Sequence, residues 1–261
     1  MGRPVILTGV VCGWEASRKW SFDFFRGKLG DKVVRASDRL RHPTMSVPMK
    51  LSSFLNYCES TTAESIGWSN KVPLYVGLQV LGAYPELLQD FSQPEVVDCV
   101  YASLEGELLQ WYLEHFGVLL IGSSGAVTLL HKDLFGTHAW LAQLVGRKRW
   151  LVFAPNEVDN LSDGRVHLRA PDLSVKENIR NAEVHEAVLS PGEIIFIPKG
   201  WYHEVMCMDP SISLSFNFVN QTNYLDHILG ICTDLPLWEK RIDSRLRHKL
   251  SIGWERATYP F

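Results

Sequence analysis

The chain lacks an excess of positive charge: 26 Lys and Arg stand against 29 Asp and Glu, a net charge of −3 over 261 residues. Without a basic field, no nucleic acid and no anionic membrane surface is expected as a partner. No apolar run is long enough to span a bilayer. The opening MGRPVILTGVVCGW is interrupted by Pro4 and Gly9 and has no cleavage-like end, so it does not read as a signal peptide. Ile6 also stands where a myristoylation signal needs Ser or Thr. The five cysteines, Cys12, Cys58, Cys99, Cys207 and Cys232, have neither metal nor disulfide spacing, which suits a reducing interior. The expected location is therefore intracellular, in the cytoplasm or the nucleus. There is no internal repeat and no low-complexity linker. What remains is 46% hydrophobic and 21% charged, the balance of an ordinary globular protein with a core of normal size.

Two textures divide the chain. Residues 21–29 and 51–58 read as short helices, with Ser21 and Ser52 as candidate caps. PVILTGVV and DKVVRAS read as short strands. Residues 84–116, rich in Leu, Glu and aromatics, carry one or two helical turns interrupted near Pro94. From Gly117 onward, strand-length runs follow one another: GVLLIG, AVTLLHKD, HAWLAQLVGRKRWLVFA, HEAVLSPGEIIFIP, GWYHEVMCM and SISLSFNFV. Many short strands in one block predict a closed antiparallel sandwich or barrel. Residues 156–184 form a polar insert within it. From Asn223 to Trp254 the apolar residues, Leu225, Ile228, Leu229 and Leu235 among them, return to helical spacing, as a cap on the barrel or a homodimer surface.

The chemistry-bearing residues are few. Residues i and i+2 of a strand share a face, so His131 and Asp133 can offer an imidazole and a carboxylate to one point. His203, on a distant strand that a jelly roll can fold back, supplies a second imidazole. Two His and one carboxylate on one side of a metal make the facial triad of non-haem Fe(II) oxygenases. A His-x-acid pair by itself is common by chance, and His203 beside Trp201 and Tyr202 can equally be a packed histidine. Lys148 is a sharper signal. Read as one strand, Ala139–Ala154 has an even face of Trp140, Ala142, Leu144, Gly146, Lys148, Trp150 and Val152, while Gln143, Arg147 and Arg149 face water. An ammonium on an apolar face requires an anion or an escape route. It either snorkels at the barrel mouth, pairs with a protein carboxylate, or meets a ligand carboxylate such as that of 2-oxoglutarate. Along 211–218, Ile212, Leu214, Phe216 and Phe218 alternate with Ser211, Ser213, Ser215 and Asn217; the polar side is either solvated or a pocket wall.

The run H-K-D-L-F-G-T-H-A-W-L-A-Q-L-V-G-R-K-R-W, followed by S-P-G-E-I-I-F-I-P-K-G-W-Y-H-E-V and S-I-S-L-S-F-N-F, resembles the JmjC (Jumonji-C) cupin-like 2-oxoglutarate oxygenases. It is most similar in pattern to the phosphatidylserine-receptor-like branch, which includes protein lysyl hydroxylases. The resemblance is specific over residues 117–220. It implies a mainly β fold with flanking helices, a double-stranded β-helix (jelly roll, cupin). The resemblance says little about residues 45–115 or the C-terminal tail; with the spacing read above, the expected division is a catalytic domain over 1–222, with its core at 117–220 and an N-terminal elaboration at 1–116, followed by a helical segment at 223–261. The resemblance implies Fe(II) held by His131, Asp133 and His203, and Lys148 on the distal carboxylate of 2-oxoglutarate. Ser215, Asn217 and Thr128 match further co-substrate contacts. Strict alternation puts Thr128 on the opposite face from His131, so its role needs a local bulge. Trp201 and Tyr202 match an aromatic pair that packs. Leu141 stands where the branch has Asn, a departure that bears on co-substrate geometry. His138 reads as a loop histidine or a neighbour of the ligands. The implied reaction uses O2 and hydroxylates a protein or peptide side chain, lysine included, with CO2 and succinate as co-products. The alternatives are the same chemistry on a free amino acid or other small molecule, a catalytically silent cupin-like binding protein, and a metal-dependent isomerase.

Overall fold

The computed structural model describes residues 2–39, 45–61, 71–164, 168 and 176–239. Eight consecutive strands build the barrel foreseen from Gly117 onward: β5 (Gly117–Gly122), β6 (Val127–His131), β7 (His138–Val145), β8 (Lys148–Phe153), β9 (Val184–Leu189), β10 (Ile194–Ile197), β11 (Tyr202–Cys207) and β12 (Ser211–Phe218). Before them come β1 (Val5–Leu7), β2 (Val33–Ala36), β3 (Val47–Lys50) and β4 (Tyr75–Leu78). The strands fall into a six-stranded sheet, β1-β10-β7-β12-β5-β4, a four-stranded sheet, β6-β11-β8-β9, and the ribbon β2-β3. Successive barrel strands alternate between the two larger sheets except at β8 and β9, which pair with each other in the four-stranded one, and every pairing among the described strands is antiparallel. This is the cupin-like jelly roll.

The outer face of the six-stranded sheet is apolar, and its inner face mixes apolar residues with Gln143, Ser215 and Asn217. Leu119 and Ile121 of β5, Trp140, Ala142 and Leu144 of β7, and Leu214, Phe216 and Phe218 of β12 share a core with Trp14, Trp20, Phe25, Phe54 and Leu55 from the N-terminal third. Leu141 instead joins Trp150, Val152, Ile195, Ile197 and Val205 in a second cluster between the sheets. Phe25, Phe54 and Leu55 have no exposed surface, and burying each such side chain contributes about 1.5–3 kcal/mol. The N-terminal layer thus covers the outside of the barrel and leaves its interior free to hold a site.

The expected single strand Ala139–Ala154 is two strands. It breaks at Gly146 and Arg147, and its halves lie in different sheets. Gly146 sits at φ 68°, and a Cβ there would stand 2.2 Å from Pro210 O, so only glycine fits this turn. Trp140 and Trp150 consequently face different clusters rather than one. Gln143 is fully buried, not wet: its amide donates to Val145 O (2.8 Å) and Gly146 O (2.9 Å), and its oxygen accepts from Ser213 Oγ (2.8 Å). Arg147 is exposed as expected and pairs with Asp209 of the neighbouring turn at 2.7 Å.

Four described helices exceed two turns. In α1 (Phe22–Leu29), Ser21 caps as expected, accepting from Phe24 N at 3.1 Å. In α2 (Leu51–Glu59) the cap position is Lys50 and not Ser52, with no side-chain cap bond. Helix α3 (Gly106–Phe116) is longer than the one or two turns expected, because Tyr112, Leu113 and Phe116 make a buried stripe at helical spacing. Helix α4 (Tyr224–Glu239) begins the C-terminal segment; Leu225 and Leu229 on it are exposed, and Ile242, Leu246 and Leu250 lie outside the described residues. No described helix is long and apolar enough to cross a membrane.

Candidate metal centre

His131 ends β6, Asp133 follows two residues later, and His203 is the second residue of β11. The strands pair with His131 directly opposite His203, which brings the ring centroids to 4.2 Å. One ligand atom from each of His131, Asp133 and His203 lies within 4.8 Å of the other two. The two imidazoles are oriented alike by their own strands. Nδ1–H of His131 donates to Leu129 O (2.8 Å), and Nδ1–H of His203 donates to Trp201 O (3.3 Å). That assignment leaves both Nε2 lone pairs free to face a cation. Burial, with the neighbouring His131 adding to it, lowers the His203 pKa to about 4, so this ring is neutral near pH 7. The indole of Trp150 stacks on it at 5.6 Å.

The predicted residues line one cavity of about 180 Å³: His131, Asp133 and His203, and with them Lys148, Thr128, Ser215 and Asn217. The bulge that Thr128 needs is present. His203 opposes His131 but Val205 opposes Thr128, so β6 spends one extra residue between them. Lys148 is fully buried. Its Nζ donates to Tyr75 Oη at 3.4 Å and lies 5.4 Å from the Tyr75 ring centroid; among the described residues it has no carboxylate partner. Tyr75 and Arg39 complete that end of the cavity, with the Arg39 guanidinium 4.9 Å from the same ring. Both were missed in the sequence, because they come from segments before Gly117 with no motif of their own.

Ser215 and Asn217 face the cavity, so this part of the polar side of β12 is a pocket wall; Ser211 and Ser213 are fully buried. Asn217 donates to Thr137 Oγ1 at 2.9 Å, and Ser215 Oγ donates to Trp140 O at 3.3 Å. Leu141 pairs with Ser215 across the strands and lends the wall an apolar patch. Trp201 and Tyr202 are buried outside the cavity lining. Trp201 Nε1 donates to Gly2 O at 3.2 Å, and Tyr202 Oη donates to Asp163 at 2.7 Å. Asp163 also pairs with Lys132 at 2.7 Å, which ties the start of the polar insert to the strand carrying His131.

His138 is not on a loop; it opens β7 and is 7% exposed. Its Nδ1 accepts from Lys199 N (2.9 Å), and its Nε2–H donates to Thr222 Oγ1 (3.0 Å). Burial and the nearby Lys199 lower its pKa from 6.5 to about 4. Between those values the unfolded chain binds a proton that the folded chain refuses, so stability falls as the pH drops through this window and levels off below about 4. The expected contribution is on the order of 3 kcal/mol. His203 and His227 carry the same sign. A His138→Asn variant should therefore show a shallower loss of thermal midpoint between pH 6.5 and 4, read by circular dichroism; an unchanged slope would count against a neutral His138.

Two imidazoles and a carboxylate at one point, with a buried lysine in the same cavity, fit a divalent transition ion that keeps open coordination positions. A family model described as a cupin-like domain matches residues 1–224. Among curated proteins, the chain is 30% identical to "Lysine-specific demethylase JMJ21" of Arabidopsis thaliana, over 88% of this chain and 26% of that protein. It is 26% identical to "2-oxoglutarate and iron-dependent oxygenase JMJD4" of Gallus gallus, over 88% of this chain and 60% of that protein. It is also 26% identical to "Bifunctional arginine demethylase and lysyl-hydroxylase psr-1" of Caenorhabditis briggsae, over 97% and 62%. The chain thus spans less than two thirds of the length of these relatives. The resemblance to JmjC oxygenases read from the sequence is borne out by these relatives, and the chain belongs to the family of cupin-like domains.

Proposed function

We propose that the chain is an Fe(II)- and 2-oxoglutarate-dependent oxygenase that hydroxylates a protein or peptide side chain. The observation that carries this reading is that the convergent His131, Asp133 and His203 share one cavity with a buried lysine that has no carboxylate partner among the described residues. His131 and His203 would hold the ion through Nε2, and Asp133 through its carboxylate. When bound, Fe(II) with 2-oxoglutarate and O2 supplies the conversion of a C–H bond to C–OH, with CO2 and succinate as co-products. The carbonyls of Leu129 and Trp201 keep the two rings aimed. Lys148 and the Tyr75 hydroxyl receive the distal carboxylate of the co-substrate, with Arg39 adding charge at the same end. On β8 and β11, Val152 pairs with His203 and Lys148 with Cys207, so Lys148 starts four residues, roughly 13 Å, along the strand from the metal level. The lysine stem covers part of that span and a five-carbon dicarboxylate the rest. Leu120, Leu141, Ile197 and Val205 line the wall and exclude water.

A protein or peptide substrate is supported by the relatives and not by the cavity, whose lining is the set proposed for the metal and the co-substrate. Relatives named as a lysyl-hydroxylase and as lysine- and arginine-specific demethylases point to basic side chains as the first peptides to try. The four described free cysteines, three of them buried, support an intracellular setting. The test is succinate formation from 2-oxoglutarate with Fe(II) and O2, first without substrate and then with lysine- and arginine-containing peptides, beside a His131→Ala control. Peptide-stimulated turnover that the control lacks is expected. Failure of the purified chain to bind 2-oxoglutarate in the presence of Mn(II) would sink the oxygenase reading and favour a binding module.

A further inference from the structure

Helix α4 meets the turn after Asp133 at backbone distance. A Cβ on Gly136 would stand 2.7 Å from Asp226 O, and one on Gly230 would stand 2.6 Å from Phe135 C, so both glycines are needed for the crossing. Between Asp133 and Gly136, Phe135 is held at φ 56°, a left-handed conformation that is costly for an aromatic residue and persists only where its surroundings impose it. Those surroundings are mostly α4 and the residue before it. Nδ1–H of His227 donates to Phe135 O at 2.7 Å, and the amide of Asn223 donates to Gly136 O at 3.0 Å. His227 is 2% exposed and is itself fixed from behind, its Nε2 accepting from Tyr101 Oη at 2.6 Å. On the other side of the turn, Thr137 Oγ1 donates to Leu134 O at 2.9 Å and accepts from Asn217.

We propose that α4 is a positioning element for the metal centre, in which His227 and Gly230 impose the left-handed Phe135 turn and thereby set where Asp133 presents its carboxylate. The inference rests on the reading of His131, Asp133 and His203 as metal ligands. It makes His227 and Gly230 positioning residues: they touch neither metal nor co-substrate and act through two residues of backbone. A carboxylate displaced by even a fraction of an ångström binds metal less tightly, and partners of ligands commonly carry a 10–100-fold effect on metal affinity.

The experiment uses the full chain and Mn(II) binding by calorimetry, with the electronic spectrum of the Co(II)-loaded protein and the apo thermal midpoint measured in parallel. Gly230→Ala and His227→Phe are expected to lower Mn(II) affinity at least tenfold at a temperature where both are folded, and to alter the Co(II) spectrum. His227→Asn, whose amide can reach the Nδ1 position, should restore most of the affinity. Leu229→Ala, on the exposed side of the same helix, should bind Mn(II) as the parent does. A purely structural role would lower the thermal midpoint and leave affinity and spectrum unchanged, and that result overturns the proposal. Should Gly230→Ala fail to fold, the His227→Phe and His227→Asn pair, which alters a hydrogen bond and no backbone contact, decides. Asp133→Ala separates the two levels. If it binds Mn(II) as tightly as the parent, the metal reading itself fails. If it loses Mn(II) while folded His227→Phe keeps it, only the role of α4 fails.

Discussion

Replacing Asp133 with alanine should leave the chain folded and remove its 2-oxoglutarate turnover. The fold survives because Asp133 is only half-buried, stands just past the end of β6 and makes no side-chain cap bond at the turn it opens. Function does not survive, because Asp133 supplies the only carboxylate of the described cluster. Two imidazoles alone leave an ion with neither the third ligand nor the negative charge that anchors it. The loss should exceed the roughly 100-fold that removing a mere partner of a ligand costs. The measurement is succinate release at saturating 2-oxoglutarate, with circular dichroism as the check on folding. Turnover within a few-fold of the parent would remove the facial-triad reading.

The Lys148→Met variant should move stability and binding in opposite directions. Nζ of Lys148 is buried against the Tyr75 ring and hydroxyl, with no carboxylate among the described residues to offset its desolvation. An isosteric apolar side chain relieves that cost, so the apo protein should become more stable, by on the order of 1 kcal/mol. On the proposed function the same change removes the charge that would meet the distal carboxylate of 2-oxoglutarate, worth on the order of 3 kcal/mol at a partly desolvated site, or about 100-fold in affinity. Mn(II) affinity, set at the other end of the cavity, should not change. Calorimetric titration of the Mn(II)-loaded variant and thermal unfolding of the apo form read the two signs. A destabilised variant with intact co-substrate affinity would mean that Lys148 serves the fold and not the ligand.

The convergence of His131, Asp133 and His203 could be read from the sequence because its logic is local. A His-x-Asp at the end of a strand puts two ligands on one side, and the later P-K-G-W-Y-H run places the third on a strand whose pairing a jelly roll dictates. Even the misfit of Thr128 was informative, since it demanded the bulge that β6 contains. The errors share a different cause. Ala139–Ala154 alternates well enough to pass for one strand, and the Gly146-Arg147 pair that breaks it is a Gly-led two-residue turn, a signal that was there to be weighed. Gln143 looked wet because a polar residue between apolar ones usually is; its three hydrogen bonds to groups near the turn and on β12 were set by tertiary pairing. Tyr75 and Arg39 reach the cavity from a segment more than forty residues before its first ligand, and no spacing rule connects them.

The order of strands in the two sheets governs how the protein can be made. The last two barrel strands to leave the ribosome are both interior: β11 lies between β6 and β8, and β12 lies between β5 and β7. Until β11 has emerged, four finished strands each lack one neighbour, and until Phe218 has emerged β5 and β7 still do. Such a nascent chain cannot close its barrel before β12 arrives. It must remain open and then zip shut late, through pairings such as Leu119 with Leu214 that join residues nearly a hundred positions apart. Long-range closure of this kind is slow and leaves strand edges exposed to aggregation meanwhile. A truncation before β12 therefore costs the whole barrel and not one strand, and the yield of soluble protein should depend on chaperone supply more steeply than its final stability would suggest.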